Sequence, residues 1–223
     1  AGIIKLERIV RNIELDNWTL GVGSELHLSA LNDTITMGMD KKIEVINLGG
    51  GSDTINTGGY HLSGGSLLVS RITFSGGGRI SSAITTRTAG AAFDITLDKV
   101  TLSSTITGGS GSDIITIKQT SSLNGAIDLG NGNNVINAAL GTRTEFESTL
   151  NTGVGNDKLS FGAVTFEDTL TLGNGDNNLS ATGDAVFEAT VTAGDGNDTF
   201  KFATVEFKET LKLNSGDNSI TAT

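Results

Sequence analysis

The 223 residues include 31 Gly but neither Pro nor Cys, and carry a formal net charge of −10. Without cysteine there is no disulfide framework and no thiolate zinc site, and glycine lacking a triplet period and proline is not collagen. Two histidines, His27 and His61, leave little room for a His-rich metal centre or the commonest general base, so both read as ordinary surface or strand residues.

The opening AGIIKLERIV lacks the apolar core of a signal peptide, and no apolar run approaches the ~18 residues of a membrane span. A soluble chain is expected, exported by another route or belonging to something longer, with no membrane insertion. Residues 1–28, which hold the single Trp18, read as an N-terminal coil or a junction. Gly21-Val22-Gly23 has no Lys-Ser/Thr after it and is not a phosphate loop. Residues 29–106 read as irregular solenoid coils. Asn32-Asp33-Thr34-Ile35 and Gly49-Gly-Gly-Ser-Asp53 open this stretch one period apart. Between 60 and 106 the alternation persists (Ile72, Phe74; Phe93, Ile95, Leu97; Val100, Leu102), but the glycine turn is lost.

Residues 107–223 repeat one turn: Gly109-Ser-Gly-Ser-Asp113, Gly130-Asn-Gly-Asn-Asn134, Gly153-Val-Gly-Asn-Asp157, Gly173-Asn-Gly-Asp-Asn177, Gly194-Asp-Gly-Asn-Asp198 and Asn214-Ser-Gly-Asp-Asn218. Two residues after each lies an apolar side chain, giving a column that runs Ile35, Ile55, Ile115, Ile136, Leu159, Leu179, Phe200, Ile220. Further columns are Phe146, Phe166, Phe187, Phe207 and Thr149, Thr169, Thr190, Thr210. Fixed columns at a period of roughly 20 make each repeat one coil of a stacked parallel structure. The predicted fold is therefore all-β, a parallel β-helix or β-roll solenoid of about ten coils. In the coil 153–172, Leu159 and Phe161, then Val164 and Phe166, then Leu170 and Leu172 face inward on three short strands. A bend at Glu167-Asp168-Thr169 keeps Asp168 out of the core.

The turns need glycine for positive φ and for close backbone approach. Stacking them brings backbone carbonyls and Asp or Asn oxygens into rows, an oxygen-rich, flexible, negatively charged edge suited to calcium. The candidate ligands are Asp53, Asp113, Asn134, Asp157, Asn177, Asp198 and Asn218. Gly108-Gly109-Ser110-Gly111-Ser112-Asp113-Ile114-Ile115-Thr116 resembles the nonapeptide of repeats-in-toxin proteins. That resemblance implies a parallel β-roll binding Ca2+ between turns, exported by type I secretion, as in bacterial adhesins and surface-layer proteins. This chain departs from it in carrying one motif per coil instead of two, and in alternating Asp with Asn at the last position. The alternation supports either a calcium site for each neighbouring Asp and Asn pair or a metal-free ladder in which Asn separates carboxylates that would repel.

Residues 119–223 carry most of the acid, which disfavours nucleic acid and anionic lipid. Stacked acids at one corner, Glu147, Glu167, Asp168, Glu188 and Glu209, resemble those of β-helical polysaccharide lyases and hydrolases, which remain the alternative reading. Too few basic residues accompany them for an anionic sugar substrate. The threonine rows suggest an ice-binding face, but irregular coils are expected to spoil a lattice match, so a plain β surface is the preferred reading. No positioned nucleophile, oriented base or cofactor motif is present. The expected function is a non-enzymatic, calcium-binding scaffold segment of a secreted or cell-surface bacterial protein, a piece of a larger polypeptide, with self-association or cell-surface glycans as partners.

Overall fold

The computed structural model describes residues 2–6, 12–16, 18–88 and 90–223. Every element among them is a strand, and all pairings are parallel within one continuous sheet that winds into a solenoid. Among the described residues no helix is long and apolar enough to cross a membrane. Each coil contributes up to three strands, one per face. The face that follows the glycine turn carries Lys158–Phe161, the next carries Ala163–Phe166, and the third carries Leu170–Gly173 and leads into the next turn. Residue-by-residue registers link each strand to its counterparts one coil away, so Leu159 lies against Ile136 on one side and Leu179 on the other. At the start of the described chain, Ile3–Lys5 pairs with Glu25–His27 and Asn12–Glu14 with Thr34–Thr36. Trp18 packs, half-buried, against the same core.

Alternation along each strand sends one set of side chains inward, and a triangular cross-section brings the three inner rows together. Leu159, Phe161, Val164, Phe166, Leu170 and Leu172 are all buried, as the coil 153–172 predicts, and the chain bends at Glu167 and Asp168. The phenylalanine column is continuous. Phe146, Phe166, Phe187 and Phe207 stack with centroid separations of 4.7, 5.2 and 4.7 Å and ring planes within 9° of parallel. Phe161 meets the first two edge-on at 5.8 Å. Strand pairing sets this spacing, and the aromatic contacts add about 0.5–1.5 kcal/mol per pair beyond area burial.

The apolar column after the turn is not single. Ile35 and Ile55 stack on Phe74, Leu97 and Ile117, whereas Ile115 stacks on Ile95, Ile72 and, one coil further, Asp53. The strands that enter the turns at 49–53 and 109–113 stay in register, Ile46 reaching Ile106 through Leu67 and Ile84, whereas the strands that leave them are two residues out of register. The change takes place across the coil that lacks a glycine turn and the longer coil after it. Only Ser70 separates the strands His61–Val69 and Arg71–Ser75, so the corner is made with almost no loop. Leu67 pairs with Ile84 after 17 residues, and Ile84 with Ile106 after 22.

Truncating Phe166 to Ala removes the ring at the centre of the aromatic column, and collapse is opposed on both sides by in-register neighbours. We expect a loss of about 3–5 kcal/mol, read by equilibrium urea unfolding, against less than about 0.5 kcal/mol for the exposed Lys158→Ala.

Candidate metal centre

At a glycine turn the backbone leaves the sheet, and its N–H groups lose the carbonyl partners that a strand would provide. Side chains take over. The last turn residue of each coil accepts, through its inner oxygen, a hydrogen bond from the backbone N–H of the matching residue one coil earlier. Phe93 donates to Asp113, Asp113 to Asn134, Asn134 to Asp157, Asp157 to Asn177, Asn177 to Asp198 and Asp198 to Asn218, at 2.8–3.1 Å. Asp33 donates to Asp53 in the same manner at 2.9 Å. All seven candidate ligands thus lie on ladders of this kind. They do not form one row, because the register slip separates Asp33 and Asp53 from the rest, and the longer row begins at the buried, apolar Phe93.

A second, exposed ladder runs along the same edge in the opposite direction. Asn133, Asn156, Asp176, Asn197 and Asp217 donate their backbone N–H groups to the side chains of Ser112, Asn133, Asn156, Asp176 and Asn197. Between the two, backbone bonds such as Gly155 N–H to the Asn174 carbonyl tie turn to turn. Coils approach so closely here that a Cβ on Gly173 would lie 1.7 Å from the Gly153 carbonyl oxygen, and φ is +72°. Only glycine meets both conditions. Asp176 and Asp217 sit in the exposed ladder, outside the buried row.

The buried row treats Asn and Asp differently. The amide nitrogen of Asn134 donates to the carbonyls of Gly130, Gly132 and Thr152, and that of Asn177 to those of Gly173 and Gly175 and to Asp198 Oδ1. Asn218 repeats the pattern with Asn214 and Gly216. An aspartate has no proton to donate in that direction. The outer oxygens of Asp113, Asp157 and Asp198 are buried without any hydrogen-bond partner, and the residues are 0%, 1% and 0% exposed. Gly109 N–H and the Thr152 hydroxyl approach the first two without completing a bond, the latter donating to the Leu172 carbonyl instead.

Burial raises the carboxyls of Asp113 and Asp157 to a pKa of about 6 each, opposed by the N–H groups that they accept from. It raises Asp198 too, with the charge of Asp176 adding to the effect. Asp53 is pushed up to about 7 by burial and by neighbouring Asp33, against the pull of Arg87. Asp33 has a different solution, its Oδ2 accepting from both the backbone N–H and the hydroxyl of Ser29. Among the described residues no group of three or more His, Cys, Asp or Glu side chains converges, so any ion on this edge would draw mainly on backbone carbonyls.

The remaining sequence candidates lie elsewhere. Glu147, Glu167 and Glu188 occupy one column whose next member is Lys208, and Lys208 binds Glu188 at 2.7 Å; Asp168 and Glu209 belong to the neighbouring column. His27 meets Glu25 and His61 meets the Ser81 hydroxyl.

No known family and no curated protein matches this chain. Among solved structures, it is similar to the crystal structure of a hyperactive, Ca2+-dependent, β-helical antifreeze protein from an Antarctic bacterium. The TM-score is 0.61 and the identity 18%, over 98% of this chain and 76% of that one. The likeness establishes the β-helical fold.

In chelator, the raised pKa values fix the pH dependence. A carboxyl that binds its proton more tightly when folded contributes stability that is complete below its unfolded pKa and is lost as pH rises through the folded value. The melting temperature of the metal-free chain should therefore fall between about pH 5 and 8, the window set by values near 6 and 7. Differential scanning calorimetry in EDTA checks this, and a melting temperature rising across that window would contradict it.

Proposed function

We propose that the chain is a structural, calcium-binding β-solenoid segment of a secreted or cell-surface bacterial protein, serving as a rigid scaffold in an adhesin or surface layer. One observation carries the calcium assignment: a buried carboxylate oxygen without a partner at Asp113, Asp157 and Asp198, placed where asparagine puts an amide donor. At the asparagine turns that donor meets the carbonyls of the first and third turn residues. In the aspartate turns the corresponding carbonyls belong to Gly109 and Gly111, Gly153 and Gly155, and Gly194 and Gly196. An acceptor facing acceptors needs either a proton or a cation between them. A hard cation with a taste for carboxylate and carbonyl oxygen fits this set, and Ca2+ accepts the irregular geometry that Mg2+ does not. Bound there, the ion would neutralise the carboxylate and fix the turn carbonyls.

Asparagine and aspartate turns then have separate duties. Asn134, Asn177 and Asn218 close their turns by hydrogen bonds alone, and the aspartates take the ions, so the sites fall at alternate coils. Asp53 is a further candidate, since it lies next to Asp33 with no asparagine between them. With only one carboxylate per alternate turn, affinity in the millimolar range of extracellular modules is expected. The acidic charge balance supports an extracellular, non-enzymatic role; glycans or further copies of the chain are the proposed partners.

A second reading, ice binding, has one observation in its favour. Thr34, Thr54, Thr73, Thr96 and Thr116 form an unbroken outward column that passes through the coils lacking a glycine turn. The slip of two residues preserves this column across the irregular coils. Thermal-hysteresis measurement with Thr73→Lys separates this reading from a plain β surface.

The calcium assignment has a sharper test in Asp157→Asn. This variant restores an amide donor to the turn, so we expect a higher melting temperature than wild type in EDTA at pH 8, together with a smaller upward shift on adding millimolar calcium. Calorimetric titration should show one fewer ion bound. An unshifted wild-type melting temperature at 10 mM calcium would refute calcium binding.

A further inference from the structure

The missing glycine turn leaves a notch in the edge. The coil before it turns through 49–53 and the coil after it reaches Asp94 by way of 90–93, whereas the coil between them passes from Val69 to Arg71 through Ser70 alone. The gap is an open cavity of about 610 Å³, floored by Ser70 and Arg71 and bordered by Asn32, Ser52, Asp94 and Ile114. Arg71, Asp94 and Ile114 are register partners on three successive coils, so their outward side chains form one row along the floor. Arg71 Nε lies 3.1 Å from Asp94 Oδ2, and the Arg71 side chain remains 62% exposed. One of its terminal nitrogens makes a long contact, 3.4 Å, with the Ser52 hydroxyl.

We propose that this notch binds a neutral saccharide of one or two rings within a larger glycan. A sugar hydroxyl donates and accepts at once, and the notch offers both roles side by side. The guanidinium and the Asn32 amide nitrogen donate and the Asp94 carboxylate accepts, the Asn32 oxygen being held by the Ser52 backbone N–H at 2.8 Å. Asp94 already compensates the charge of Arg71, which disfavours an anionic ligand that would compete for the same fork. Ile114, 37% exposed, supplies an apolar patch for the C–H face of a ring. Ser52, Ser70 and Ser112 also line the notch and add hydroxyls that suit a polyol, and the volume lies within the usual span of small-ligand pockets, about 300–1,000 Å³. The open rim lets a chain continue on both sides of the bound rings. The proposal gives the glycan partner of the scaffold reading a location, and it rests on that reading only for the glycan's being within reach.

Saturation-transfer NMR and calorimetry on the 223-residue chain in 5 mM calcium, with neutral oligosaccharides of glucose, galactose, mannose and N-acetylglucosamine and with uronic-acid oligomers, test it. A neutral oligosaccharide should bind, and Arg71→Ala and Asp94→Ala should each weaken binding about tenfold or more, the loss of a charge-assisted hydrogen bond. Asn32→Asp, which keeps the acceptor of the Ser52 backbone N–H and removes only the amide donor, should weaken it with the melting temperature close to wild type, which excludes a folding artefact. Arg143→Ala, on another face, should leave binding intact. The proposal is overturned if no neutral oligosaccharide binds at 10 mM, if only uronic-acid oligomers bind, or if the Arg71, Asp94 and Asn32 variants all bind as wild type does. Absence of a calcium-dependent melting shift would remove the ion assignment and leave this result standing.

Discussion

The structure depends on a side chain doing the work of a backbone carbonyl. Where each coil turns its corner, the N–H of the last turn residue would be buried without a partner, and the Oδ1 of an Asp or Asn one coil away accepts it. A buried, unpaired N–H is costly enough to require such an acceptor. Only Asx has the length to supply it from a residue whose own backbone is entering a strand. That one bond fixes the register of the turns, and the turns fix the register of the inner rows, so the phenylalanine rings meet face to face as a consequence.

The same constraint accounts for the alternation along the edge. Each position needs an oxygen facing its predecessor, which either residue provides. The second heteroatom faces the turn's own carbonyls, which suits nitrogen and leaves oxygen in want of a counter-charge. Aspartate is thus an electrostatic liability at this place unless it is protonated or paired with a cation, and the upward movement of three carboxyls to or beyond the acidic side of neutrality is the same fact expressed as proton affinity.

Much of the fold was legible because a solenoid writes its period directly into the sequence. Leu159, Phe161, Val164, Phe166, Leu170 and Leu172 could be placed inward from one coil's alternation, and the columns followed. The slip near Ser70 was not legible for a definite reason. A strand's side chains alternate with a period of two, so a displacement by two residues leaves every side chain on its proper face. Ile55 and Ile115 both remain buried, and only their partners reveal that they stand in different rows. At the site, the sequence gives oxygen-bearing residues at the correct places. It does not say which heteroatom faces inward, and that orientation separates the duties of Asn134 and Asn177 from those of Asp113, Asp157 and Asp198. The notch was hidden along with the slip, because Arg71 and Asp94, 23 residues apart, stand outside the common period and are seen to be register partners only once the slip is located.

The alternating edge also determines how the molecule can lengthen or shorten. Deleting a single coil between 109 and 218 would bring Asp against Asp or Asn against Asn. Deleting two would restore every junction, with the aromatic column and the buried ladder rejoined as before. The heritable unit of this architecture is accordingly a pair of coils, and residues 153–182 and 194–223 agree at 15 of 30 positions across such a pair. The slip at Ser70 bounds that freedom, since a junction made across it would misalign by two residues the strands that leave the turns. Length can vary in double steps on the C-terminal side, while the notch and its neighbours must be inherited as a block.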